Sequence, residues 1–107
     1  MKQEPAPKHL SKESKKLFKA VVMEYAIDDS AGLKILVVAL EALDRATKAR
    51  QKIDLEGMTV LDKFEQVKPH PLLACERDSR AAFLAGLRQL NLDLEPLRDG
   101  PGRPPGR

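Results

Sequence analysis

The stretch AGLKILVVALEALDRATKARQKIDL, residues 31–55, decides the fold, because its apolar residues recur with the period of an α-helix. A helix of this length extends over about 37 Å. Its apolar surface forms two neighbouring stripes that together cover about half of the circumference. One stripe contains the leucines Leu33, Leu36, Leu40 and Leu43, and the other contains Ala31, Ile35, Ala39, Ala42, Ala46, Ala49 and Ile53. The sequence therefore predicts a long central helix that other elements must cover on two sides.

A shorter helix is predicted before the central one. It starts at Ser11, whose side chain can accept hydrogen bonds from N–H groups of the first turn, and Glu13 suits the positive end of the helix dipole. Either Asp29 or Ser30 can cap the central helix that follows. The helical period places two sets of side chains on opposite sides of the first helix, the apolar Leu17, Phe18, Val21, Val22 and Tyr25 and the basic Lys12, Lys15, Lys16 and Lys19.

The chain after the central helix predicts a short β-hairpin. Gly57 ends the helix, since glycine readily adopts a positive φ. Residues 58–61 and 64–67 carry β-branched and aromatic side chains on either side of Asp62 and Lys63, and the sequence KPHP at 68–71 stops the second strand. Two strands alone are marginally stable, so this hairpin must pack on helices or pair with the edge of a neighbouring chain.

A third helix is predicted from Pro71 to about Leu90, with Asn91 as its C-terminal cap. Glu76 and Arg80 lie one turn apart, which favours an ion pair. The apolar face of this helix is flanked by a groove of small residues, Cys75, Ser79, Ala82 and Gly86. The predicted fold is mainly α: a helical hairpin with one long central helix, a short β-hairpin and a C-terminal helix.

The second stripe of the central helix predicts self-association. A chain this short has two other helices with which to cover both stripes, and small side chains let backbones approach closely. We therefore expect the stripe to face another subunit through Ile35, Ala39, Ala42, Ala46, Ala49 and Ile53. The alternative is a three-helix monomer in which the first and third helices cover one stripe each.

The two ends of the chain differ in composition from its body. Residues 1–10 are predicted to form a flexible basic arm, residues 11–92 a helical domain for oligomerisation and DNA binding, and residues 93–107 a disordered tail rich in Pro, Gly and Arg. Residues 1–19 contain six lysines against two glutamates, a net charge of +4. Such basic ends suggest contact with a polyanion. A single cysteine and the lack of a long apolar segment predict a soluble intracellular chain that contacts no membrane.

The residues that catalysis requires are not arranged for it in the sequence. His9 lies in the arm, His70 stands between two prolines, and neither has a partner at metal-ligand spacing. There is no glycine-rich phosphate loop. Cys75 sits among Ser and Ala, which favours a small buried side chain over a reactive thiol. We expect no catalytic residues, no metal, no cofactor and no enzymatic activity.

The lysine side of the first helix is the strongest candidate site. Its four ammonium groups could neutralise successive phosphates of double-stranded DNA, in a contact that weakens steeply with salt. It would read sequence poorly, because it offers no Arg, Asn or Gln for bidentate contacts to base edges. The predicted DNA-binding residues are Lys12, Lys15, Lys16 and Lys19, extended along the arm by Lys2 and Lys8. The alternative is an ordinary solvated surface.

Several segments resemble the small subunits of phage DNA-packaging terminases. The likeness covers GMTVLDKFEQVKPHP at 57–71 with ERDSR at 76–80, and it extends to LSKESKKL at 10–17, ALDRA at 42–46 and LDLEP at 92–96. Its most specific element is VKPHP at 67–71 with the downstream ERDSR. The motif residues are Lys68, Pro69, His70, Pro71, Glu76, Arg77 and Arg80. Glu65 departs from the pattern, since relatives are expected often to have Gly there in the hairpin.

The resemblance implies a non-catalytic subunit in the host cell cytoplasm. It would assemble into a ring-shaped homo-oligomer of about eight or more copies, bind viral double-stranded DNA, and recruit and regulate the large terminase subunit, which carries the ATPase and nuclease. The C-terminal tail is a candidate dock for that subunit. Two alternatives stay open: a purely structural helical scaffold, and a small transcriptional regulator with a helix-turn-helix. The poor base readers Ala31, Gly32 and Leu33 at the start of the central helix argue against the regulator.

Overall fold

The computed structural model describes residues 5–91. Its elements are the helices α1 (Lys12–Tyr25), α2 (Ser30–Glu56) and α3 (Leu72–Gln89) and the strands β1 (Thr59–Leu61) and β2 (Val67–Pro69), which lie between α2 and α3. The two strands form an antiparallel sheet. The predicted mainly helical fold with a short hairpin is confirmed. No helix within these residues is long and apolar enough to cross a membrane.

The ends of the helices follow from local chemistry. Ser11 caps α1 by accepting a 3.1 Å hydrogen bond from the Ser14 N–H. Asp29, and not Ser30, caps α2, because its carboxylate accepts from the Gly32 N–H at 2.8 Å. Gly57 follows α2 with a φ of 92°, a conformation that disfavours side chains. The predicted helix boundaries are thus correct to within one or two residues.

The core lies where all three helices meet, around the N-terminal half of α2. Phe18 of α1 and Leu36 and Leu40 of α2 are almost fully buried there, and Leu87 of α3 joins them. Leu10, which the sequence placed in the flexible arm, is also buried in this cluster. Burial of this apolar side chain joins the end of the arm to the core.

The expected interface between subunits is covered within the chain. Ala39, Ala42, Ala46, Ala49 and Ile53 are all buried, and Ile35 is partly buried. α3 packs on this side of α2: a Cβ built on Gly86 would lie 2.7 Å from the Cβ of Ala39. This arrangement corrects the prediction and corresponds to its three-helix alternative. The small residues Gly86 and Ala39 allow close helix contact, so α3 occupies this part of the surface assigned to a second copy.

The hairpin has a longer turn and a later second strand than the sequence predicted. Thr59 pairs with Pro69 and Leu61 with Val67, so residues 62–66 form the turn. The carboxylate of Asp62 holds this turn by accepting from the N–H groups of Phe64 and Gln66 at 2.8 and 2.9 Å. The expectation that residues 68–71 stop the strand is wrong, because β2 continues to Pro69.

Pro69 fits within β2 because its nitrogen faces away from β1. The His70 N–H donates to the Met58 carbonyl at 2.8 Å, and the Asp62 N–H donates to the Gln66 carbonyl at 3.0 Å. Hydrogen-bonded and non-bonded pairs alternate along an antiparallel ladder, so the pair of Thr59 and Pro69 is a non-bonded one. A proline at this position removes no ladder bond.

Candidate nucleic-acid interface

The four lysines of α1 lie on the side of the helix that faces away from the core. Lys12, Lys16 and Lys19 are exposed, and Lys15 is half-buried. The opposite side carries Phe18, which packs in the core and so fixes the rotation of the helix. None of the four lysines has a carboxylate within 4.0 Å among residues 5–91, although other lysines of that range do. These residues therefore form a lysine face whose charges are not neutralised by neighbouring groups of residues 5–91.

Of the two lysines predicted to extend this face, the structure describes only Lys8. Lys8 is exposed, four residues before Lys12. Lys2 lies outside the described residues. Between Lys8 and the helix, the ring of His9 contacts the carboxylate of Glu41 at 2.7 Å. The structure therefore places Lys8 close in sequence to the lysine face, on a segment that is attached to α2.

A cluster of hydrogen bonds anchors the start of α1 to the middle of α2. Asp44 accepts from the Ser14 hydroxyl at 2.6 Å, the Ser11 hydroxyl at 2.7 Å and the Ser11 N–H at 2.9 Å. Ser14 is almost fully buried, so its hydroxyl depends on this partner. Burial raises the pKa of Asp44, but the hydrogen bonds from Ser14 and Ser11 outweigh it and hold the pKa below its ordinary value. This cluster connects two of the segments that carry the resemblance and fixes the direction of the lysine face.

The KPHP motif connects the hairpin with both neighbouring helices. His70 is buried, and its Nε2 contacts the Glu56 carboxylate at the end of α2 at 2.7 Å. Its Nδ1 accepts a 3.0 Å hydrogen bond from the Leu72 N–H at the start of α3. An Nδ1 that accepts leaves the proton on Nε2, which donates to Glu56. The hydrogen bond from His70 is the main cause that lowers the pKa of Glu56, and Lys52 adds to it.

The other motif residues form ion pairs or shape the backbone. Lys68 pairs with Asp62 across the base of the turn at 3.3 Å. Pro71 is the residue before α3, and its own φ and ψ are already helical. The predicted pair of Glu76 and Arg80 is confirmed at 2.6 Å. Arg50 of α2 approaches the same Glu76 oxygen at 3.7 Å, so the pair also joins α2 to α3.

The last motif residue and the cysteine have simpler environments. Arg77 is exposed and contacts the neighbouring Asp78 at 3.1 Å. Cys75 is partly buried, and its Sγ lies 3.9 Å from the Ser79 hydroxyl. Within the described part of the chain, no three His, Cys, Asp or Glu side chains converge as a metal site would require. Of the polar motif residues, His70 and Glu76 thus connect to α2, whereas Arg77 contacts only its neighbour in α3.

The helical period predicted the lysine face but not the residues that position it. The helical period assigns Asp44 only to the polar side of the central helix, and it gives no role to Arg50 or Glu56. A signal was present for Asp44, because it lies in one of the segments that carry the resemblance. For Glu56 and Arg50 the sequence offers no signal, since their partners are fourteen and twenty-six residues away.

Three comparisons with known proteins give no relative from which a function could be transferred. No protein-family model matches the chain. No curated protein sequence and no solved structure matches it either.

Proposed function

We propose that this protein is the small subunit of a phage DNA-packaging terminase. In this role it is non-catalytic, assembles into a ring of about eight or more copies, binds viral double-stranded DNA, and recruits and regulates the large ATPase and nuclease subunit. The observation that carries the DNA-binding part is the lysine face of α1, which has four ammonium groups without carboxylate partners among residues 5–91. The terminase assignment comes from the motif resemblance.

The lysine face suits the phosphate backbone better than the bases. Lysine side chains act as point charges that neutralise phosphates and release counterions, so the logarithm of the affinity falls linearly with the logarithm of salt concentration. The face has no Arg, Asn or Gln that could form paired hydrogen bonds with a base edge. One copy with four lysines binds weakly, and several copies joined in one assembly bind DNA much more tightly. This combination fits a protein that holds duplex DNA without reading its sequence through α1.

The direct test replaces Lys12, Lys15, Lys16 and Lys19 together by Gln. Binding to a DNA duplex is measured by fluorescence anisotropy over a range of salt concentrations. The proposal expects the variant to bind at least about tenfold more weakly and to show a flatter salt dependence, with a slope reduced by roughly 0.9 for each phosphate that is no longer neutralised. Unchanged affinity and slope would refute the placement of DNA on α1.

A matched control removes the same charge elsewhere. Lys34, Lys48, Lys52 and Arg88 are all exposed and lie outside α1 and the hairpin, and their replacement by Gln gives the same net charge as the test variant. The control is expected to bind DNA more tightly than the test variant. Equally weak binding by the two variants would show that only overall charge matters.

DNA-binding measurements also distinguish the proposed terminase subunit from its two alternatives. A structural scaffold would self-associate without measurable DNA affinity at physiological salt. A regulator with a helix-turn-helix would prefer one DNA sequence over others by a large factor, which backbone contacts do not produce.

Removal of residues 98–107 tests the tail as the dock for the large subunit: self-association is expected to persist while stimulation of the large subunit's ATPase falls.

A further inference from the structure

The β-hairpin is joined to the helices at two narrow junctions. Neither strand has an extensive contact with a helix of residues 5–91. The first junction is Gly57, where an added Cβ would meet no atom within 4 Å, so the backbone there is unobstructed. The second is His70, the residue that follows β2 and precedes Pro71. The orientation of the hairpin relative to the helices therefore depends largely on the contacts of His70.

The ring of His70 contacts both neighbouring helices and is only 5% exposed. Its Nε2 donates to the Glu56 carboxylate at the end of α2 at 2.7 Å, and its Nδ1 accepts from the Leu72 N–H at the start of α3 at 3.0 Å. The His70 carbonyl accepts from the Leu73 N–H, also at 3.0 Å. This arrangement requires one proton on the ring, because one nitrogen must donate and the other must accept.

We infer that His70 is a pH-sensitive latch, which holds the junction of α2, the hairpin and α3 closed only while its imidazole is neutral. Histidine is the side chain that ordinarily changes its charge between about pH 5 and pH 8. Protonation would therefore open the junction under mildly acidic conditions. The opening frees the first turn of α3 and lets the hairpin turn about Gly57.

The chemistry of protonation supplies the force that opens the latch. The proton comes from solvent and adds to Nδ1, the ring nitrogen that carries none in the closed form. The new N–H then faces the Leu72 N–H, and two donors form no hydrogen bond. The Leu72 N–H loses its acceptor, since the first N–H groups of a helix have no partner within that helix. A buried imidazolium with only one N–H paired is less favourable than one in water, so the protonated ring moves into solvent.

The Glu56 carboxylate opposes this opening only weakly. Among residues 5–91 it is the one carboxylate within 4.0 Å of the His70 ring. It is 44% exposed and also pairs with Lys52 at 3.2 Å, and ion pairs that are open to solvent contribute little. The hydrogen bond from His70 holds the pKa of Glu56 below its ordinary value of 4.5, so this carboxylate keeps its charge while histidine titrates.

The charged residues that follow and precede His70 along the chain are paired with each other. On β2, Lys68 pairs with Asp62 at 3.3 Å. The first charged residue of α3 is Glu76, which pairs with Arg80 at 2.6 Å. Neither pair contains a histidine, and both keep their charges between about pH 5 and pH 8. Titration in this range therefore acts on the junction through His70.

The opening changes what the hairpin presents to its surroundings. Three of its large apolar side chains are 65% to 71% exposed: Leu61, Phe64 and Val67. When the hairpin turns about Gly57, these side chains change position relative to the helices. This inference goes beyond the proposed function and does not rest on it, because the test uses neither DNA nor a large subunit.

Amide hydrogen exchange followed by NMR tests the latch on the full chain. Protection factors, corrected for the intrinsic exchange rate, are compared at about pH 7.5 and about pH 5.5. The protection of the Leu72 and Leu73 amides is expected to fall at least about tenfold at the lower pH. The amide of Leu40, in the core, is expected to keep its protection. Equal protection at both pH values would overturn the inference, and so would an equal loss at Leu40, which reports unfolding of the whole chain.

Three variants assign the response to one group. His70→Asn keeps an acceptor near Nδ1 that does not titrate, so its protection is expected to be independent of pH in this range. His9→Gln removes the other histidine of the chain and is expected to respond as the wild type does. Glu56→Gln keeps an acceptor for Nε2 and is expected to retain the response. A response that persists in His70→Asn, or that disappears in His9→Gln or Glu56→Gln, would overturn the inference.

A distance measurement reports the orientation of the hairpin directly. Spin labels are attached at Gln51→Cys on α2 and Lys63→Cys in the turn, in a chain whose single cysteine is removed by Cys75→Ser. The labelled chain is diluted with unlabelled chain, so that only distances within one copy are measured. The distance distribution is expected to broaden at about pH 5.5 and to stay unchanged when His70→Asn is added. A distribution that does not change with pH would contradict the turning of the hairpin.

Discussion

Gly86 of α3 and Ala39 of α2 lie so close that a methyl group on the glycine would stand 2.7 Å from the alanine Cβ. The Cβ of Ala39 is not the end of a flexible side chain, so the two helices would have to separate to admit the added methyl group. At this contact α3 covers the alanine stripe of α2. A substitution at either residue can therefore test the packing of the two helices.

Gly86→Ala is expected to destabilise the chain despite the higher helix propensity of alanine. Overpacking costs about 1–3 kcal/mol, and the propensity gain offsets about 1 kcal/mol of it. The double variant Ala39→Gly/Gly86→Ala exchanges the two residues and should recover much of the stability. Urea unfolding at one fixed protein concentration measures both effects, since assembly adds to apparent stability. Strict additivity of the two single changes would contradict the close contact.

Asp44 is expected to make stability depend on acid. Its pKa is lowered in the folded chain from the ordinary value of 3.8. Its contribution to the free energy of unfolding is therefore fully present above pH 3.8 and is lost as the pH falls through the lower folded pKa. Asp44→Asn should cost about 1.5–3 kcal/mol at neutral pH, because a charged acceptor of the Ser11 and Ser14 hydrogen bonds is removed. The variant should also show a less steep decline of stability below about pH 4. Thermal unfolding at a series of pH values measures both effects.

Ser14→Ala provides the control for this cluster. Ser14 donates one of the three hydrogen bonds to Asp44, and the variant leaves the two bonds from Ser11 in place. The variant is expected to be destabilised less than Asp44→Asn, by about 1 kcal/mol. The pKa of Asp44, followed by NMR, should rise in this variant. An unchanged pKa would show that the Ser14 hydroxyl does not hold the charge of Asp44.

His70 is expected to control the pKa of Glu56. His70→Gln places an amide donor near the position of Nε2, whereas His70→Asn places an acceptor near Nδ1 and loses the donor to Glu56. The pKa of Glu56 should therefore return toward its ordinary value of 4.5 in His70→Asn and stay lowered in His70→Gln. The pKa of Glu56 is lower in the folded chain than its ordinary value of 4.5. The hydrogen bond from His70 therefore stabilises the folded chain above pH 4.5, and this stabilisation is lost as the pH falls through the folded pKa. Carboxyl NMR titration measures the difference, and equal pKa values in the two variants would contradict it.

Glu65 is expected to tolerate glycine better than alanine. It adopts a φ of 61°, a left-handed conformation that costs a side chain about 1 kcal/mol. Glu65→Gly removes this strain and Glu65→Ala keeps it, so the glycine variant should protect the amides of the hairpin from hydrogen exchange more than the alanine variant does. The positive φ also accounts for the glycine that the terminase resemblance leads us to expect at this position. Equal protection in the two variants would argue that the turn is not strained.

Some features of this chain followed from residues close together in sequence. Ser11, Asp29 and Gly57 act on backbone groups within three or four residues, so the sequence predicted the ends of two helices closely. The lysine face was predictable for the same reason, since the helical period alone sets which side chains of α1 share a side. The position of β2 was less predictable, because the turn depends on the way Asp62 accepts hydrogen bonds.

Other features depend on contacts between residues far apart, and these the tertiary structure alone decided. The alanine stripe has the same composition whether a second copy or α3 covers it, and only the packing of Gly86 on Ala39 distinguishes the two. Asp44 reaches Ser14 across thirty residues and His70 reaches Glu56 across fourteen. The physical reason is that local hydrogen bonding and periodicity specify elements, whereas the partner of each surface is set by which elements fit closest together. The exposed side chains of Leu61, Phe64 and Val67 belong to this second group, because the sequence predicted a hairpin there but not which side chains of it stay exposed.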